Sequence, residues 1–176
     1  MTIFDLNTFI ESKKLSLSVK KSNRLHVAKK KNESKDCSKL HVHGEVMGDI
    51  EKTKYLGDIV DTSGKIEETV SERVSKGYGM IAQIISILEE IPLGKHKTEV
   101  GLILRNAMLH GCMLFNSEVW HGLLQRHIRA LEVVDEYLLR SIMKAHQKTP
   151  IEFIYLETGA LPIRHIISSR RLLIII

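Results

Sequence analysis

The chain has 176 residues, 43% hydrophobic and 27% charged, with a formal net charge of +5. Such a composition excludes a disordered polymer and leaves one domain, or a small pair, able to bury a core. The positive excess permits a polyanionic partner without demanding one.

Two cysteines, Cys37 and Cys112, supply neither a disulfide framework nor a CxxC, which suits an intracellular protein of nucleus or cytoplasm. The opening MTIFDLNTFIESKK lacks the layout of a secretory signal. The longest apolar run, the closing LLIII, is too short to cross a bilayer, so no membrane partner is expected. That bare aliphatic ending has no cap or polar stop, and the chain is expected to be a segment cut inside a helix.

In chain order, Ile3, Phe4, Leu6, Phe9 and Ile10 fall near helical spacing, which predicts a short helix over 1–14. LSLSV (15–19) and RLHVA (24–28) alternate as strands about the turn-like KKSN, because strand side chains point to opposite faces in turn. The polar run KKKNESKDCSK (29–39) reads as a loop. LHVHGEVM (40–47) fits a hairpin around Gly44 and Glu45, and KYLGDIV (54–60) supplies one more strand.

From Ile66 the apolar period lengthens to about 3.6 residues. Ile66, Val70, Val74, Tyr78, Ile81, Ile85, Leu88 and Ile91 make the stripe of a long helix. Thr62 or Ser63 is its expected cap, Glu67, Glu68 and Glu72 suit its first turns, and Pro92 with Gly94 ends it. A second helix is predicted over 95–115, with Val100, Leu104, Ala107, Met108 and Leu114 as its apolar residues. A third, over 124–146, carries Ile128, Leu131, Val134, Leu138, Ile142 and Met143. Pro150 and Pro162 open two more. The expected class is α+β, mainly α: a small antiparallel β platform over about 15–60, then a helical bundle over about 66–175, the units dividing near 61–62.

Phosphate-cradling GxxxxGK[ST] is missing, as are GxGxxG, GxSxG and HExxH. No Asp-Asp pair stands where a two-metal centre would need it. Asp58 and Asp61 flank a turn and suit turn and cap chemistry better than metal. Cys37, His41 and His43 could meet, but a structural zinc site needs a fourth ligand. His121, His127 and His146 read as surface histidines, and Trp120, the single tryptophan, as a packing anchor rather than a base-stacking platform. Lysines crowd the first 31 residues, ordinarily a solvated face. Arg73 and Lys76 sit off the apolar stripe beside the small Ser75, Gly77 and Gly79. Small residues admit a close backbone, either a sugar–phosphate ridge or a neighbouring helix.

Six stretches in order, LSLSVKKSNRLHVAKK, LHVHGEVM, KYLGDIVDTSGKI, SERVSKGYG, AMLHGCMLFNSEVWHG and YLETGALPIRHIISSRRL, resemble the reverse transcriptases of non-LTR (LINE-type) retrotransposons just downstream of the catalytic palm. The resemblance runs from about residue 9 to 173. It implies the end of the palm, a primer grip at Tyr55, Leu56 and Gly57, and a helical thumb. It also implies duplex contacts from Lys65, Arg73 and Lys76, and a pyrophosphate-side lysine at Lys21, with Lys20 as the neighbouring alternative. Ser22 stands where threonine or cysteine is more usual in the family. The partners implied are an RNA–DNA or DNA duplex as template–primer and the rest of the polymerase chain. The family's two Mg2+ and their aspartates lie upstream, so this chain is expected to hold no cofactor and not to polymerise alone. The alternative is a non-enzymatic helical interaction module or domesticated remnant.

Overall fold

The computed structural model describes residues 9, 12–14, 18, 22–27, 41–42, 45–92 and 94–174. The chain divides into two units, Met1–Gly64 and Lys65–Ile176.

In the first unit β1 (Asn23–Leu25) runs parallel to β4 (Gly48–Ile50). The pairs β2 (His41–Val42) with β3 (Glu45–Val46), and β5 (Lys52–Tyr55) with β6 (Asp58–Asp61), are antiparallel. Among the described residues, three two-stranded ladders thus replace the single antiparallel platform expected. The stretch from Leu25 to Gly48 is long enough for the crossover that a parallel pair requires. Arg24 fixes its register by donating to both oxygens of Asp49 across the ladder, at 2.6 and 2.9 Å. Phe9 and Ser12 are helical. Lys13 and Lys14, expected in the helix, form a turn, and residues 1–8, 10 and 11, nearly all of LSLSV and the loop over 29–39 lie outside the described residues.

KYLGDIV is not one strand. Leu56 and Gly57 form a two-residue turn between β5 and β6, with φ of 48° and 89°, the type I′ pattern whose twist matches that of the paired strands. After β6 the Asp61 carboxylate accepts from both the backbone N–H and the hydroxyl of Ser63. Asp61 and Ser63 are therefore committed to a turn, and the next helix begins without a side-chain cap at Ile66.

The second unit is helical: α1 (Glu67–Glu89), α2 (Lys95–Leu104), a π-turn (Arg105–Leu109), α3 (His110–Met113), α4 (Gln125–Met143), α5 (Ile151–Thr158) and α6 (Ile163–Ile174). No described helix is long and apolar enough to cross a membrane. The core joins Val70, Ile81, Ile84 and Leu88 of α1 to Leu109, Met113 and Leu114, then to Leu131, Val134, Leu138 and Ile142 of α4 and Ile163 and Ile167 of α6. Trp120, 5% exposed, packs into it as an anchor. Ala107, expected in the stripe, is exposed.

The buried face of α1 is rotated from the expected stripe. Thr69, Val70, Arg73, Gly77, Ile81, Ile84 and Leu88 are inside, whereas Tyr78 is 47% exposed. Gly77 sets the rotation. A Cβ there would lie 2.5 Å from Met113 Sδ and 2.9 Å from Val134 Cγ1, so the helices approach closest where α1 has no side chain.

Candidate nucleic-acid interface

Tyr55 and Leu56 stand out at the β5–β6 turn, 66% and 68% exposed. Both side chains are thus accessible at the hairpin tip. Gly57 holds them there, because its φ of 89° suits a residue without Cβ. Gly57→Ala is expected to weaken the hairpin by about 1–2 kcal/mol, seen as faster amide hydrogen exchange along β5 and β6 with Trp120 fluorescence unchanged.

The remaining expected site residues divide. Lys21 lies outside the described residues. Lys65 is exposed. Lys76 reaches Glu72 one turn back at 2.7 Å and stays 42% exposed, a solvent-screened pair that leaves the ammonium accessible. Arg73 is a correction. It is 5% exposed, donates to the Cys112 carbonyl at 3.1 Å and lies over the Phe115 ring at 5.5 Å. Of the two partners that small residues could admit, Gly77 meets a neighbouring helix, and Arg73 on the same face goes inward with it. The opposite face of α1 presents Ser71, Ser75, Gly79, Ala82 and Ser86, all exposed, spanning about 22 Å at helical rise.

No protein-family model, curated protein or solved structure matches the chain.

Arginine does a different job here from the one expected. Each of the nine arginines donates to a group of its own unit. Arg24, Arg105, Arg126, Arg129 and Arg164 bind the carboxylates of Asp49, Asp135, Glu67, Glu136 and Glu132. Arg73, Arg140, Arg170 and Arg171 bind the carbonyls of Cys112, Thr149, Leu114 and Trp120. The planar five-donor guanidinium suits bidentate contacts that a lysine ammonium cannot reproduce.

The most buried of these contacts is a network that sequence reasoning missed. Asp135 is 0% exposed. It accepts from Arg105 through both oxygens at 2.7 Å and meets His110 Nε2 at 3.0 Å, and Arg105 also donates to the Leu161 carbonyl at 3.0 Å. On an α-helix, residues five apart point about 140° from each other. The π-turn between Arg105 and His110 widens the helix by one residue and lets both reach one carboxylate, a use typical of such bulges. Burial raises the Asp135 carboxyl, but hydrogen bonds from His110 and Arg105 outweigh it and hold the group below its ordinary value. His127, expected at the surface, is also buried, and its Nδ1 accepts the Leu124 N–H at the start of α4.

Beside this network Arg129, Glu132, Glu136, Tyr155 and Arg164 line a cleft of about 260 Å³. Hydrogen bonding to Arg164 holds Glu132 low. Burial and the neighbouring carboxylates push the Tyr155 phenol up, so it stays protonated. Arg129 pairs with Glu136 along α4 and Arg164 with Glu132 between α6 and α4, and Glu152 and His165 also line the cleft. Among the described residues no grouping of three or more His, Cys, Asp or Glu could hold a metal ion, and Cys37 and His43 of the zinc reading lie outside them.

Proposed function

We propose that this chain is the palm-end, primer-grip and thumb portion of a retroelement RNA-directed DNA polymerase, and that it holds the template–primer duplex. The observation that carries this reading is the β5–β6 hairpin. The residues that resemble the primer grip sit on a two-residue turn fixed by positive φ at Leu56 and Gly57, with Tyr55 and Leu56 exposed. A primer end needs a support whose position is set by backbone geometry, and a tight hairpin meets that need better than a long loop.

In the helical unit, Lys65 and Lys76 are the accessible cations of the expected set, and Arg73 serves the fold. The short side chains of this α1 face, with the exposed Tyr78 at its edge, favour the close approach of a sugar–phosphate ridge. Polymerisation is not assigned to this chain. The magnesium ions and their aspartates belong to the parent enzyme, where they stabilise charge at the transferred phosphate.

The test is the affinity of the full chain for an RNA–DNA hybrid over a salt series. Binding is expected at low salt and to fall as salt rises. Lys76→Gln should lower the salt slope by about one, whereas Arg73→Lys should lower stability and leave the slope alone. Leu56→Asn keeps a turn residue that suits type I′ geometry and should still weaken binding several-fold. No binding at low salt, or a response flat in salt, removes the duplex-holding role.

A further inference from the structure

On α5 the exposed positions are Glu152, Phe153, Leu156 and Glu157, with Phe153 65% and Leu156 80% exposed. At about 100° per residue, Leu156 and Phe153 fall near 40° and 100° from Glu152, with Glu157 near 140°. An apolar ridge is therefore bracketed by a carboxylate on each side. The opposite side of the helix is committed inward through Ile154, 3% exposed.

We infer that this face of α5 docks a protein segment whose apolar residues are flanked by lysine or arginine, an amphipathic basic helix being the form that fits a helical ridge. The charge pattern excludes the other occupants. Two glutamates repel phosphate, which rules against a nucleic acid strand or an anionic lipid surface. A second copy meeting this one about a two-fold axis would set glutamate against glutamate. The nearby arginines do not cancel the rim, because Arg129 and Arg164 are spent on Glu136 and Glu132. Phe153 and Leu156 supply the buried area, and Glu152 and Glu157 supply the choice of partner. The inference stands apart from the duplex reading, since it concerns a face that repels the duplex.

The experiment uses the full chain and two synthetic helical peptides with the same leucine stripe, one flanked by lysines and one by glutamates, followed by fluorescence anisotropy at low salt. The lysine peptide is expected to bind about tenfold or more tighter than the glutamate peptide. Leu156→Ser should weaken it about tenfold through lost apolar burial. The double variant Glu152→Lys with Glu157→Lys should invert the preference while hybrid binding stays intact. Because both glutamates are exposed, that variant tests the face even if Leu156→Ser disturbs folding. Equal binding of the two peptides, binding of neither, or a preference that survives the charge reversal overturns the inference. So does a concentration-dependent dimer abolished by Leu156→Ser, which would give the face to a second copy.

Discussion

Replacing Asp135 by alanine is expected to cost the helical unit about 3–5 kcal/mol, the usual penalty for leaving a buried charge without its partner. Arg105, whose side chain is 3% exposed, would keep only the Leu161 carbonyl and the Asn106 side chain, and His110 would lose its buried acceptor. The readout is the urea midpoint followed by Trp120 fluorescence. As the sole tryptophan, lodged in the core of this unit, Trp120 reports on the helices and not on the β ladders. Arg105→Met combined with Asp135→Leu should recover most of the loss, because a buried ion pair and an apolar pair of similar volume are often near equal in stability. Incomplete recovery would be the share of His110. A loss under about 1 kcal/mol from Asp135→Ala would mean that the charges are not paired in solution.

The same carboxylate makes stability depend on pH with a definite sign. Its folded pKa is depressed, so the unfolded chain takes up the proton first. The contribution is complete above the ordinary carboxyl value near 3.9 and drains away as the pH falls through the lower folded value. Glu132, held low first by its hydrogen bond to Arg164, acts in the same direction. Asp135→Asn should therefore flatten the acid limb of the stability profile as well as lower its plateau.

Gly77→Leu is the second large effect, with an expected loss of about 3 kcal/mol from overpacking. Even a methyl at this position would overlap the Met113 sulfur at 2.5 Å and a Val134 methyl at 2.9 Å, so α1 would have to move off α3 and α4. Gly79→Leu is the internal control. It lies two residues on, meets nothing within 4 Å, and should stabilise the helix slightly through propensity. If Gly77→Leu and Gly79→Leu melt alike, the close approach of the helices does not exist.

Helix placement was legible because the proline and glycine breaks and the 3.6-residue period act locally. Pro150 and Pro162 stand before α5 and α6 as expected, and α4 carries Leu131, Val134 and Leu138 inward. The face of α1 was harder to read, because its centre is a glycine and apolar counting gives weight only to side chains that exist. Arg73 was misplaced for the same reason. The Leu56–Gly57 turn was hidden by a leucine in a position where asparagine or aspartate would have announced it. The Asp135 network left one faint trace, acidic residues at 132, 135 and 136 on a helix otherwise rich in core positions. The π-turn that makes the network possible has no signature in composition or period.

The full engagement of arginine separates two properties that net charge lumps together. A formal +5 counts every cation alike, yet the buried guanidiniums of Arg73 and Arg105, lashed to a carbonyl and a carboxylate, cannot be traded without loosening the scaffold. Exposed cations such as Lys76, 42% exposed beside Glu72, are the ones an approaching polyanion can reach. Such groups can be acylated, exchanged or shifted along the surface at little cost to the architecture beneath. Adhesion and framework are thereby free to drift at different rates.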